Sequence, residues 1–149
     1  MRAVVQRVHE ASVTAHGGDG AVETGRIGAG LVALVGATHD DDAERARRLA
    51  DKLWRLRCFD DEQGRMNRSA EDVDAGVLVV SQFTLYGDTR GGRRPSYVDA
   101  AAPERAEPLV EEVVRRLTEL GATPATGRFG ARMDVHLVGD GPVTLLVEV

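Results

Sequence analysis

Gly76-Val77-Leu78-Val79-Val80-Ser81-Gln82-Phe83-Thr84-Leu85 begins as an unbroken apolar run and turns polar without a Gly or Pro to interrupt it. A strand that is Val- and Leu-rich on every residue is covered on both faces. The extended pattern predicts that the strand runs on through Thr84, with Ser81 and Phe83 on one face and Gln82 and Thr84 on the other. Three polar side chains then close a buried strand. Leaving such groups buried and unpaired costs about 1–3 kcal/mol each. Either the strand end emerges into water, or it opens on a cavity in which these groups have partners.

On the N-terminal side, Met1 to Val8 alternates, with Ala3, Val5 and Arg7 on one face, and Ala11 to Ala15 continues as strand. His16-Gly17-Gly18-Asp19-Gly20 reads as a turn, with Ala21 to Thr24 returning as the partner strand of a hairpin. Leu31 to Val35 is a short apolar strand. Asp40, Asp41 and Asp42 place negative charge at a helix start, and Ala46, Leu49, Ala50, Leu53 and Trp54 recur at helical spacing. Arg45, Arg47, Arg48, Lys52 and Arg55 on that helix read as a solvated face, with phosphate contact as the second reading. Leu56 to Phe59 reads as a strand.

Beyond the central run, Ala106, Leu109, Val110, Val113, Val114 and Leu117 form the apolar stripe of a second helix. It starts near Pro103, with Ala102 a poor cap, and stops at Gly121. Met133 to Val138 and Val143 to Val149 read as two strands joined by the turn-like Gly139-Asp140-Gly141-Pro142, pairing as a hairpin. The order is strand-rich without regular strand–helix alternation. The expected class is α+β: a mostly antiparallel sheet, curled or closed into a barrel, with two main helices in one domain over residues 1–149.

Composition excludes several functions. One cysteine, Cys58, allows no disulfide framework and no cysteine zinc site within the chain, and its apolar neighbourhood reads as a buried thiol. Arg2 leads into alternating residues, not an apolar signal segment, and no apolar run approaches the roughly 18 residues of a membrane span, so a cytoplasmic protein without membrane contact is expected. The net charge of -5 argues against a basic nucleic-acid face overall. Charge is local, however. Arg90-Gly91-Gly92-Arg93-Arg94 is a basic loop and Arg128 and Arg132 belong to a second basic segment; the fold decides whether they meet.

His9, His16, His39 and His136 sit in no catalytic signature, and there is no Gly-x-Ser-x-Gly elbow or paired-histidine zinc pattern. A Ser81 or Thr84 nucleophile with a distant histidine stays open, because triads assemble in space. No metal or cofactor is expected.

Two stretches carry a family resemblance. Ser81-Gln82-Phe83-Thr84-Leu85 resembles the signature of the D-aminoacyl-tRNA deacylases, and Gly141-Pro142-Val143-Thr144 resembles that family's second signature. Arg2 to Thr14 and Thr126-Gly127-Arg128-Phe129-Gly130 are also similar, so the likeness covers nearly the whole chain. It implies a mixed fold and a homodimeric hydrolase of D-aminoacyl-tRNA that also clears glycyl-tRNA for alanine. Its partner is the aminoacylated 3′ end of tRNA.

The likeness also implies site roles. Thr84 is either a nucleophile or a binding residue, with main-chain groups near Phe83 and Thr84 holding the ester and the tRNA 2′-hydroxyl assisting. The second is favoured here, because an unassisted hydroxyl is a weak nucleophile. Ser81 and Gln82 position the adenosine end or shape the pocket. Gly141-Pro142, cis in the family but read as an ordinary trans turn from sequence alone, enters the neighbouring subunit's site and rejects L substrates. Arg7 matches a residue that holds this loop, against a surface strand charge. Met133 matches a pocket methionine, against a core one. The alternative function is a non-catalytic tRNA- or RNA-binding module using the Arg90 to Arg94 loop; a small-molecule esterase is a third.

Overall fold

A computed structural model describes residues 1–18 and 20–149. Asp19, in the turn expected over 16–20, lies outside the described residues, and His16 and Gly17 belong to strand. Among the described residues, eight strands and two α-helices follow in the order β1 (Arg2–Gly17), β2 (Gly20–Ile27), β3 (Gly30–Gly36), α1 (Ala43–Arg55), β4 (Phe59–Asp60), β5 (Met66–Arg68), β6 (Gly76–Ser81), α2 (Pro103–Glu119), β7 (Pro124–Thr126) and β8 (Arg132–Glu148). A 3₁₀ turn, Phe83–Tyr86, follows β6.

The organising element is β1. Along one edge it pairs antiparallel with β3 and then with β2; along the other it pairs antiparallel with β8 from Glu148 to Arg132. β3 continues parallel to β6, and β6 parallel to β7, giving the order β2-β1-β3-β6-β7. The sheet curls until β2 meets β7. A Cβ on Gly25 would lie 2.6 Å from the Thr126 carbonyl oxygen, so only glycine permits this approach, and the sheet nearly closes into a barrel. The expected α+β class, with antiparallel pairs predominating, describes this architecture.

The two-sided burial of Val77 to Val80 has a direct cause. Val77 and Val79 join the core under the helices, together with Ala3, Val5, Leu31 and Val35. Leu78 and Val80 point into the barrel beside Val8, Val13, Ile27 and Val32. Full burial of each such side chain stabilises the fold by about 1.5–3 kcal/mol.

α1 is capped by Asp42, whose carboxylate accepts from the Arg45 N–H at 2.8 Å, and it buries Ala46, Leu49, Ala50, Leu53 and Trp54. Asp41 has a different task from dipole compensation. It is buried and pairs with the Met1 amino group at 2.5 Å. The basic row of α1 is largely committed within the chain. Arg47 pairs with Glu112 of α2 at 2.5 Å, Arg45 with Asp41 at 3.2 Å, and Lys52 donates to the Glu148 carbonyl at 2.8 Å. α2 begins at Pro103 with no side-chain cap. It ends as expected at Gly121, whose φ of 98° lets its N–H reach the Thr118 carbonyl while Ala122 reaches Leu117.

Three expectations are corrected. β6 stops at Ser81, so the alternation assigned to Gln82, Phe83 and Thr84 gives way to the 3₁₀ turn. Residues 133–138 and 143–149 form no hairpin with each other, because β1 is long enough to pair with both. Gln6 pairs with Thr144 and Val8 with Gly139, so Asp140 to Val143 bulge out opposite Arg7 alone. Leu56 to Phe59 is not a strand either. Only Phe59–Asp60 pairs, and Cys58 lies in the connection, buried, with its thiol pushed up by that burial.

Candidate active site

Where β3 and β6 end, the chain leaves a cavity of about 640 Å³. Its walls are the strand ends at Val35, Ser81 and Gln82, the rings of Phe83 and Tyr97, the start of α2 at Pro103 and Ala106, and Phe129 to Ala131 with Met133. A second cavity of about 500 Å³ adjoins it, sharing Ser81, Val110 and Phe129. Phe83 and Tyr97 meet edge to face with centroids 5.1 Å apart.

The bend after Ser81 sets the polar groups. The Gln82 N–H is consumed by the Val35 carbonyl at 2.7 Å, and the Gln82 carbonyl accepts from Leu85 at 3.3 Å. Phe83 and Thr84 are the first residues of the 3₁₀ turn, where backbone N–H groups have no partner inside the helix. Among the described residues neither N–H has a partner elsewhere. The Thr84 hydroxyl accepts a hydrogen bond from the Gln82 carboxamide. Among the described residues no histidine is bonded to Ser81 or Thr84. His16 pairs with Asp134 at 2.8 Å, His39 lies 2.6 Å from the Val98 carbonyl oxygen, and His9 lies 3.8 Å from Asp140.

The fold therefore brings Ser81, Gln82, Phe83 and Met133 to one cavity, with Thr84 beside it. Met133 serves both readings made of it. It lines the cavity and packs on the barrel core, and its sulfur accepts from the Arg128 N–H at 3.3 Å.

Arg7, Gly141 and Pro142 lie elsewhere, at the β1–β8 bulge. Arg7 is only 7% exposed, which overturns the reading of a surface charge. Its guanidinium donates to the Cys58 carbonyl at 2.8 Å and pairs with Asp60 at 3.3 Å and Asp140 at 3.0 Å. Asp140 immediately precedes Gly141. Gly141 has φ 131°, and a Cβ there would lie 2.6 Å from the Val143 nitrogen, so glycine is required. The Gly141–Pro142 peptide is cis. Tyr97, the start of α2 and the Phe129–Ala131 wall were not expected as cavity residues; the likeness of residues 126–130 to the family was a signal for Phe129 and Gly130 alone.

Comparison with known proteins places this architecture among hydrolases of aminoacyl-tRNA. The family model described as D-Tyr-tRNA(Tyr) deacylase matches residues 4–148. A D-aminoacyl-tRNA deacylase of Streptomyces avermitilis is 58% identical over 149 residues, covering 99% of both chains. Another from Halalkalibacterium halodurans is 55% identical over 149 residues, again covering 99% of each. A solved structure described as c-Myc DNA Unwinding Element Binding Protein superposes with a TM-score of 0.90 at 35% identity, covering 100% of this chain and 99% of the other. The chain belongs to the D-Tyr-tRNA(Tyr) deacylase family. It is accordingly an enzyme, a hydrolase of the D-aminoacyl-tRNA deacylase class.

Proposed function

We propose that residues 1–149 act in the cytoplasm as one domain of a homodimeric editing enzyme, which frees tRNA of D-amino acids and of glycine misplaced on tRNA for alanine. The observation that carries the mechanism is the pair of unpartnered N–H groups at Phe83 and Thr84 beside a Thr84 hydroxyl bonded to a carboxamide. A carboxamide takes up no proton at neutral pH, so Thr84 has no base to make it a nucleophile. The two N–H groups instead hold the ester carbonyl and stabilise the oxyanion that forms as water attacks. The vicinal 2′-hydroxyl of the terminal adenosine assists the proton transfers. Ser81 and Gln82 fix the adenosine end, and Met133 shapes the wall.

Selection between mirror images is by exclusion. Gly141 and Pro142 do not line the cavity of their own chain, and they sit on a bulge held from behind by Arg7. Exposed apolar residues flank that bulge on β8, among them Val138 at 48% and Leu146 at 62%. A second copy covering this strand buries them and carries Gly141-Pro142 into the neighbouring cavity, where its carbonyl oxygens leave no room for an L side chain. Glycine, with no side chain, is not rejected.

The test uses D-tyrosyl-tRNA ending in 2′-deoxyadenosine, with the ester on the 3′-oxygen. Proton-transfer assistance is worth about 10²–10⁴-fold. The 2′-deoxy substrate is expected to lose at least about 100-fold in rate, while Thr84→Ala stays within about tenfold of wild type. The opposite pattern, with folding and tRNA affinity intact, returns Thr84 to the role of nucleophile.

A further inference from the structure

The protein matches most of its guanidinium groups internally. Arg47 and Arg115 pair with Glu112, Arg116 with Asp51, Arg26 with Glu23, and Arg90 with Asp88. Among the described residues, Arg48, Arg65, Arg93, Arg94, Arg128 and Arg132 have neither an ion pair nor a side-chain hydrogen bond. Four of these six lie on the two segments that run into the wall of the 640 Å³ cavity at Tyr97 and at Phe129–Ala131. Arg93 and Arg94 are exposed on the loop closed by the Asp88–Ser96 backbone pair, at 2.8 and 2.9 Å, whose next residue is the cavity-lining Tyr97. Arg128 and Arg132 are exposed and bracket Phe129, Gly130 and Ala131, which form another segment of the wall.

Of the carboxylates closest in sequence to this set, Asp88 and Asp134 are engaged, while Asp99 lines a separate small cavity with Asp88 and Arg90. Asp88 is bonded by Arg90 at 2.9 Å, and Asp134 by His16 at 2.8 Å. Glu107 and Glu111 face the adjoining cavity, which Arg128 also lines, without an ion pair to it. On a chain of net charge -5, four of the six free guanidinium groups are thus carried by the two segments that flank one opening. Arg93 lies three positions from Ser96, so the chain can carry it at most about 10 Å from the base of the loop. Exposed arginines spaced around a cavity mouth match a chain of phosphates, which a planar guanidinium binds in bidentate fashion.

We propose that Arg93, Arg94, Arg128 and Arg132 form a basic collar that grips the phosphodiester backbone leading to the esterified 3′ end of tRNA. The inference rests on the deacylase reading and adds the surface by which the nucleic acid is held. The collar is indifferent to the amino acid; the cavity behind it reads the ester.

Two substrates separate the collar from the cavity: D-tyrosyl-tRNA, and D-tyrosyl-adenosine, which carries the same ester and no phosphate. Wild type, R93Q/R94Q and R128Q/R132Q are compared on both over a range of salt, together with binding of uncharged tRNA. Each phosphate contact to a single strand contributes about 0.7 to the slope of log K against log salt, so each double variant is expected to flatten that slope by about 1.4. Its kcat/KM on D-tyrosyl-tRNA is expected to fall at least about tenfold through KM, with the D-tyrosyl-adenosine rate within about twofold of wild type. Equal losses on both substrates mean that the arginines only support the cavity, and unchanged tRNA affinity and slope mean that the backbone is held elsewhere or that the arginines serve an acidic protein; either result overturns the proposal. If wild type cleaves neither substrate, the deacylase reading fails, and binding of uncharged tRNA still decides the collar.

Discussion

Arg7→Ala is the perturbation whose cost the structure fixes most closely. The side chain is 7% exposed and meets three acceptors that nothing else serves in the same way. The buried Cys58 carbonyl, at 2.8 Å, is left without the guanidinium, a loss of about 1–3 kcal/mol. Asp60 and Asp140 are 50% and 35% exposed, so water replaces much of what they lose, and each adds about 0–1 kcal/mol. The total is about 1–5 kcal/mol, reaching the roughly 3–5 of a fully buried pair only at its upper end. Urea unfolding should show a lower midpoint at unchanged m-value. Arg7→Met keeps the packing of the stem and isolates the polar part. Arg7→Lys keeps the charge but cannot span three acceptors, so it should recover less than half of the loss. A loss below about 0.5 kcal/mol in Arg7→Ala, the range of an ordinary surface substitution, would refute this reasoning.

Further outcomes follow from the same geometry. Pro142→Ala should admit L-tyrosyl-tRNA while D-tyrosyl-tRNA is still cleaved, read as the ratio of the two kcat/KM values. Gly30→Ala should destabilise by at least about 3 kcal/mol in urea, since its Cβ would lie 2.0 Å from the Gly76 carbonyl oxygen and force β3 and β6 apart. Burial pushes the Asp41 carboxyl up, but the Met1 amino group, the Thr38 N–H and Arg45 outweigh it and hold the group below its ordinary 3.8. The unfolded state therefore binds the proton more tightly, and the stabilisation is present above pH 3.8 and lost as pH falls through the lower folded value. Unfolding of wild type and Asp41→Asn across that range should show a gap that is constant above pH 4 and closes below it.

How much of this was legible depends on whether the cause was local. The stripe of α2 and its stop at Gly121 are local, and both stand. The apolar run Val77 to Val80 correctly signalled burial on two faces. The 3₁₀ turn was not legible, because Phe and Thr favour strands and nothing in Ser81 to Leu85 forbids one. The bend is imposed from across the sheet: a Cβ on Gly36 would lie 2.8 Å from the Gln82 carbonyl oxygen, so the chain folds down over a glycine on β3. The bulge at Asp140 to Val143 was misread as a hairpin turn for the same kind of reason. Its composition is that of a turn, and only the sixteen-residue length of β1 gives both flanking segments one shared partner. Arg7 looked like a strand charge because its acceptors come from residues 58, 60 and 140.

The measurement that bears most directly on the account is ester loss from tyrosyl-tRNA charged with D- or L-tyrosine, followed with the purified wild-type protein. Rapid loss of the D form with the L form left intact is the predicted result. Loss of both would contradict exclusion by Gly141-Pro142, and loss of neither, with tRNA still bound, would contradict the account as a whole.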